Sequence, residues 1–287
     1  MDRRTILITP DLINRLSTIP EDQFPCSRQI SLDLSISVQE VILLSSTHLK
    51  TAQLETILPV DLIQNKDTRT IFIYDEAGWR KWQHFDPVAN RFYKMVYVAP
   101  GKPPTIEISG IKMHITQQGD PEQDTLNKLQ SFRQLQGLVL DTCTGLGYTA
   151  IKSAQNSKVL KVFSCDKDVN VHLLASQNPW SQELFVNPKI HPLLSAVQQL
   201  VESIPDLFVD TVIHDPPRFS LAAELYSQAF YQQIYRIMKK GGEFYHYTGD
   251  PNQKTRRNSL AVVTQSRLKE IGFRQVQSAY AGVWARK

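Results

Sequence analysis

The sequence predicts an α/β chain in two parts: a small β-rich N-terminal domain over residues 1–116, and a doubly wound domain built on a parallel sheet over 117–287. Three observations lead there. Apolar residues alternate through parts of the first segment, the period-two signature of half-buried strands. From Asp120 onward short apolar strands alternate with helical patterns. Finally, Leu138–Ala150, LVLDTCTGLGYTA, carries an apolar strand into an acid, two glycines and a helix start.

In the first part, SLDLSISVQEVILL (31–44) alternates Leu32, Leu34, Ile36 and Val38 and reads as a strand. TIFIYDE (70–76), RFYKMVYVAP (91–100) and PTIEISGIKMHIT (104–116) continue that character, separated by turn clusters such as Gly101-Lys-Pro-Pro104. In the second part a helix near 122–135 precedes the strand GLVLD, helix 148–156 follows, then strand KVFSCD and a helix through Gln177. DTVIHD (210–215) is the fourth strand. A helix at 221–240 places Leu225, Phe230, Ile234 and Ile237 on one face and ends in Lys239-Lys240-Gly241-Gly242. EFYHYTG (243–249), a helix over 258–271 stopped by Gly272, and two strands in RQVQSAYAGVWAR complete the order.

At 287 residues the chain is long enough to bury a sizeable core. Hydrophobic residues make up 41% and charged residues 21%, as in an ordinary globular protein. It has no apolar run of about 18 residues to cross a membrane. The start MDRRTILITPDL lacks the apolar core of a signal peptide, so a cytoplasmic protein is expected. Cys26, Cys143 and Cys165 are scattered, which predicts neither a disulfide framework nor a metal site. A net charge of +4 neither demands nor opposes a nucleic-acid partner.

Gly145 and Gly147 let the backbone turn sharply and approach a ligand, and the following helix offers unpaired N–H groups. Asp166 closes the next strand nineteen residues after Gly147, where a carboxylate can take both hydroxyls of a ribose. The expected ligand therefore carries an adenosine. Spacing alone does not choose a dinucleotide from S-adenosylmethionine (SAM), because Gly145-Leu-Gly-Tyr-Thr-Ala150 also fits G-x-G-x-x-A. Charge does discriminate: Asp141 at the strand tip would repel a pyrophosphate and attract a sulfonium and an ammonium.

Together, PTIEISGIKMH, DTCTGLGYTA, CDKDVNV, QNPWS, HDPPRFSLAAELYSQAFY and MKKGGEFYHYTGDP resemble the class I SAM-dependent methyltransferases. The subgroup they are most similar to is a set of predicted methyltransferases best known from archaea and often labelled spermidine-synthase-like. The resemblance implies a Rossmann-like, seven-stranded mixed sheet with cofactor and substrate meeting beyond the carboxyl ends of the strands. It implies cofactor contacts at Asp141, Thr142, Cys143, Gly145 and Gly147, and at Asp166 and Lys167 for the ribose. Cys143 stands where the usual motif has its first glycine, and Ser195 lies nearest the place of the usual adenine-holding acid.

Asp215-Pro216-Pro217, ending the fourth strand, resembles the (D/N/S)PP(Y/F/W) element of enzymes that methylate amino groups. An amine must point its lone pair along the sulfonium methyl axis, and an acid with stiff proline carbonyls can accept its hydrogens and set that direction. Arg218 departs from the usual aromatic, leaving Phe219 or the guanidinium plane to stack on a base. Glu224, His246 and Asp250 complete the expected substrate side, with His214 as a further candidate. Asn178-Pro179-Trp180 suits either an adenine wall or a capped turn. Lys254, Arg256 and Arg257, extended by Lys239 and Lys240, form a basic cluster for phosphates, and Trp79 and Trp82 among Arg80 and Lys81 mix rings with cations as single-strand binders do.

The leading expectation is a SAM-dependent N-methyltransferase acting on an RNA base, with the N-terminal domain presenting the substrate. The alternatives are an aminopropyltransferase that uses decarboxylated SAM on a small amine, and a nucleic-acid-binding Rossmann protein without catalysis. No metal is called for, and Cys143 is a minor candidate nucleophile.

Overall fold

The computed structural model describes residues 6–52, 55–57, 68–75, 78–116, 119–249 and 259–287. The chain divides into two compact units, Met1–Pro121 and Glu122–Lys287. Among the described residues no helix is long and apolar enough to cross a membrane.

In the first unit, β1 (Ile6–Ile8) and α1 (Pro10–Ser17) are followed by β2 (Cys26–Ile30), β3 (Gln39–Ser45), β4 (His48–Lys50) and β5 (Glu55–Ile57). Then come β6 (Phe72–Asp75), β7 (Gly78–Lys81), β8 (Gln83–Asp86), β9 (Arg91–Val96), β10 (Thr105–Ile108) and β11 (Ile111–Lys112). They form three antiparallel sheets, ordered β1-β6-β7, β2-β3-β4-β5 and β11-β10-β9-β8. Helix α1 went unread in the sequence although its start is spelled there. Thr9 Oγ1 accepts the Leu12 N–H at 3.3 Å, Pro10 takes the first turn, and Leu12, Ile13 and Leu16 pack with Val41, Leu43 and Leu49.

Two of the expected strands differ. Residues 31–38 are a loop despite their alternation: Leu32 and Leu34 are buried, but Ile36 and Val38 are 50% and 64% exposed. Ser31 Oγ accepts the Ser35 N–H at 2.7 Å and Asp33 Oδ1 the Ser37 N–H at 2.9 Å, while Leu34 and Ser35 take φ of 59° and 71°. Short polar side chains have here captured the N–H groups a ladder would need. The single strand expected over 104–116 is a hairpin, β10 and β11, turning at Ser109-Gly110. Nor are the tryptophans a stacking platform. Trp82 is 1% exposed in the core, and Trp79 donates its Nε1–H to Thr56 Oγ1 at 3.1 Å.

Helix α2 (Pro121–Leu129) begins at the division between the units. It is followed by β12 (Gly137–Asp141), α3 (Tyr148–Ala154), β13 (Val159–Asp166), α4 (Val169–Gln177), α5 (Glu183–Val186), β14 (Ile190–Leu194), α6 (Val197–Ser203) and β15 (Val209–His214). Next are a 3₁₀ turn (Ala223–Tyr226), α7 (Gln228–Ile237), β16 (Met238–Tyr247), α8 (Leu260–Ile271), β17 (Arg274–Ala279) and β18 (Gly282–Arg286). These strands make the expected seven-stranded mixed sheet, ordered β14-β13-β12-β15-β16-β18-β17, with the first five parallel, β18 antiparallel to β16, and β17 antiparallel to β18. The order reverses direction between β12 and β15, and the crevice beyond the carboxyl ends at such a switch point is where ligands bind in open α/β sheets.

Helix boundaries moved for local reasons. α2 stops at Leu129, short of the expected 135, because the Arg133 and Gln134 N–H groups donate to buried Glu243 Oε2 at 2.8 and 3.2 Å. The helix expected over 221–240 is split at Ser227, whose hydroxyl accepts the Phe230 N–H at 3.1 Å and starts α7. α7 ends at Ile237, and Lys239-Lys240-Gly241-Gly242 lie inside β16 rather than in a cap. That stretch is at the amino end of the parallel strands, where Lys239 pairs with Asp210 at 2.8 Å, and not at the carboxyl edge where a basic cluster was expected.

Candidate cofactor and acceptor site

The glycine loop leaves β12 pinned on both sides. The Thr142 N–H donates to the Ile213 carbonyl of β15 and the Thr144 N–H to the Cys165 carbonyl of β13, both at 3.0 Å. Gly145 and Gly147 take φ of 53° and 80°, a region side chains resist. They serve different ends. A Cβ on Gly147 would stand 2.8 Å from Leu184 Cδ2, so that position is closed by packing, whereas a Cβ on Gly145 would meet nothing within 4 Å. Gly145 is thus the point of the loop with room for a ligand, and Gly147 caps α3.

Asp166 holds this loop in shape. Its Oδ2 accepts the Gly145 N–H at 3.0 Å and its Oδ1 the Asp168 N–H at 2.9 Å. Burial pushes its carboxyl up, opposed by those two N–H donors.

Asp141 differs from the expectation of an open charge facing the bend. It is fully buried, and its Oδ2 accepts the hydroxyls of Thr149 and Ser164 at 3.0 and 2.9 Å, tying β12 to α3 and β13. Oδ1 is buried with no hydrogen-bond partner among the described residues. Burial raises the carboxyl to about 6, the two hydroxyls oppose this, and Asp215 and Asp166 add to it. A carboxyl that binds its proton more tightly folded than unfolded stabilises most below its unfolded value and loses that contribution as pH rises through about 6. The unfolding free energy of Asp141→Asn relative to the native chain is therefore expected to rise by about 2 kcal/mol between roughly pH 4.5 and 7.5. Urea titrations at both pH values check this, and a constant difference would refute it.

Cys143 carries no thiolate: burial first, then the charges of Asp166, Asp141 and Asp215, push its thiol well up, which removes it as a nucleophile. Ser195 lies just past β14, where its N–H meets the Asp166 carbonyl and its own carbonyl accepts the Cys165 thiol. The Asn178 side chain is buried between Tyr148 and Ser181 and its Oδ1 caps the Trp180 N–H, which makes the Asn-Pro-Trp segment a capped turn.

Across the switch point, β15 ends at His214 and delivers Asp215-Pro216-Pro217 next to the glycine loop, because Asp141 is in register with Ile213. Asp215 is not free. Its Oδ2 meets the Lys128 Nζ of α2 at 2.6 Å, and the same ammonium reaches Asp124 Oδ2 at 2.7 Å. Lys128 and Asp124 side chains are 3% and 2% exposed, while that of Asp215 keeps 19%. The Tyr280 hydroxyl donates to Asp124 Oδ1 at 3.2 Å, and the Tyr247 ring faces Lys128 Nζ at 4.9 Å. Burial works against the Lys128 ammonium, but Asp215 and Asp124 outweigh it and keep the lysine protonated. Burial likewise pushes the Asp215 carboxyl up, with Asp124 adding and Lys128 opposing. Sequence reading missed Asp124 and Lys128, whose four-residue spacing on a helix is their only local signal.

The prolines are not equivalent acceptors. The Pro217 carbonyl already accepts the Tyr226 hydroxyl at 2.8 Å. Arg218 and Phe219 are exposed, and Phe219, 47% accessible, rests edge-on against Tyr226 at 5.4 Å.

Other expected substrate residues are elsewhere. His246 is fully buried, bonded to the Tyr231 hydroxyl at 2.8 Å and 4.4 Å from the His214 ring, so it belongs to the core. Burial drives it well below the usual histidine range. His214 is fixed by both nitrogens: Nε2–H donates to the Leu225 carbonyl at 3.0 Å, which leaves Nδ1 to accept the Thr142 hydroxyl at 2.6 Å. Burial lowers it to about 3, so it is a neutral strut between the two loops. Tyr245 spends its hydroxyl on the Tyr280 carbonyl. Glu224 is half exposed, bonded to Gln198 at 3.2 Å and 4.0 Å from Lys167, a surface pair rather than an inward acid. Asp250, Lys254, Arg256 and Arg257 lie outside the described residues. Among the described residues no three His, Cys, Asp or Glu side chains gather as metal ligands.

No family model matches the chain. An uncharacterized protein of Methanocaldococcus jannaschii is 44% identical over 189 residues, 66% of this chain, and the chain spans 64% of that relative's length. Among solved structures, a spermidine synthase in complex with the transition-state analogue AdoDATO matches with a TM-score of 0.56 at 16% identity, over 71% of each chain. Spermidine synthase of Thermotoga maritima matches at 0.53 and 17%, over 71% of this chain and 70% of its own. MnmC2 of Aquifex aeolicus matches at 0.52 and 17%, over 68% and 70%. Likeness at this identity bears on architecture, and the strand order, switch point and glycine loop agree with it: the chain has a Rossmann-like fold similar to that of spermidine synthase.

Proposed function

We propose that the chain is a SAM-dependent methyltransferase that acts on an amino nitrogen of an RNA base. The observation that carries this reading is the placement of Asp215 beside the Gly145 loop, on the two strands that flank the switch point. A cofactor loop and a partly accessible acid there are what amine methylation needs.

The cradle fits the cofactor. Gly145 opens into free space, Asp166 stands at the end of β13 within reach of a ribose, and the unpaired Asp141 Oδ1 adds negative potential beneath a cationic ligand. When bound, SAM supplies a methyl group already activated by its sulfonium. The chain's own work is orientation. Asp215, held by Lys128 through Oδ2, would present its remaining oxygen to an N–H of the acceptor and take the proton that nitrogen sheds once the methyl has passed to it from sulfur. Phe219 at the rim offers a face for a base, and Arg218 beside it a charge for a phosphate.

Calorimetry is the first test. The chain is expected to bind SAM, and Asp166→Ala, which removes the ribose acid and frees the Gly145 N–H, is expected to weaken binding by about tenfold or more. Failure of the native chain to bind SAM overturns the reading. Comparing methylated nucleosides in RNA from cells with and without the gene then tests the acceptor.

A further inference from the structure

We propose that Lys128 is a resident counter-charge that suits the acceptor site to an uncharged amino nitrogen and closes it to cationic polyamines. This rests on the reading of Asp215 as the acceptor-side acid. A carboxylate recognises an alkylammonium by short, charge-assisted hydrogen bonds of about 2.7–2.9 Å. On Asp215 that place is already filled, since Lys128 Nζ sits 2.6 Å from Oδ2.

The lysine is not free to yield. Its side chain is 3% exposed, its second contact is Asp124 at 2.7 Å, and Asp124 is held in turn by the Tyr280 hydroxyl. The Tyr247 ring covers the ammonium from another side. Lys128 therefore offsets charge on both acids it bridges, Asp215 and Asp124, and lessens their pull on a further cation. Among the described residues Glu224 does not add to it, being half exposed and turned to Gln198 and Lys167.

The chemistry points the same way. An alkylamine is protonated near neutral pH and must lose a proton before its lone pair can attack, which asks for a strong base. Lys128 opposes the rise that burial gives Asp215, so the carboxylate is a weaker base than it would be without the lysine. The exocyclic amine of a nucleobase is neutral and asks only for an acceptor of its N–H, which the partly exposed Asp215 still offers.

Titration of the full chain with putrescine and with spermidine decides the matter. The native chain and Lys128→Arg, which keeps the charge, are expected to bind neither below about 10 mM. Lys128→Met combined with Asp124→Asn, which leaves Asp215 unpaired without a second acid, is expected to bind putrescine at least about tenfold more tightly, and adding Asp215→Asn is expected to erase that gain. Binding of either polyamine by the native chain more tightly than about 10 mM would overturn the proposal, as would a folded double variant without the gain. If the double variant does not fold, the native and Lys128→Arg titrations still decide it. Failure of the methyl-transfer reading shows separately, as a native chain that does not bind SAM.

Discussion

Replacing Asp215 with asparagine is expected to lower turnover by about 10²-fold while SAM affinity stays within about twofold. The asparagine keeps the shape of the side chain and can still accept a hydrogen bond, so the loop ending β15 retains its course. It loses the charge that aligns an incoming amine and the basicity that receives its proton. SAM affinity is expected to hold because the residues around Gly145 and Asp166 lie on the other side of the switch point and make their own bonds, to Ile213, Cys165 and Asp168. Single-turnover kinetics beside calorimetry separate the two effects. A variant with native turnover removes Asp215 from the chemistry, and one that loses SAM affinity equally makes it a part of the cofactor site.

Contiguous signals were the legible ones. Gly145, Gly147 and Asp166 could be read because the strand, the turn and the next strand's end are local and regularly spaced, and the alternation after Asp120 led to the sheet. The order of the sheet then places Asp215 beside that loop without any further information. The direction of side chains was less readable. EFYH lies in a strand covered on both faces, where each of these four positions is buried and alternation no longer tells core from crevice, so His246 was assigned to the wrong side. Asp141 was assigned an open charge because Thr149 and Ser164, which bury it, come from two other elements.

In the first unit the misreading has a different cause. Leu32, Leu34, Ile36 and Val38 alternate as a strand does, but Ser31, Asp33, Ser35 and Ser37 alternate with them. That polar series is the stronger local determinant, since each hydroxyl or carboxylate can bond a nearby N–H before any partner strand arrives. The Ser/Asp density was visible, as was the Thr-Pro-Asp start of α1. Lys128 was not visible at all. Its partner Asp215 is 87 residues away, and Asp124 and Lys128 alone look like a solvated helix pair.

That hidden ion pair carries the largest expected effect on stability. Lys128→Met is expected to cost about 3–5 kcal/mol at neutral pH, because removing one partner strands buried charge rather than merely deleting an attraction. Methionine fills a similar volume, so packing against Tyr247 changes little and the loss is electrostatic. The pH dependence identifies it. Burial already pushes the Asp215 carboxyl up, and with the opposing ammonium gone it rises further above its unfolded value, so protonation favours the folded state. Such groups stabilise fully below the unfolded values and lose that contribution as pH climbs through the raised ones. The variant is therefore expected to be least stable on the alkaline side and to recover part of its deficit toward about pH 5, as read by urea unfolding. Adding Asp124→Asn, which removes one of the stranded charges, is expected to restore a measurable share at neutral pH. A deficit that neither acid nor the second substitution relieves would mean that Lys128 supports the fold by packing, with its charge incidental.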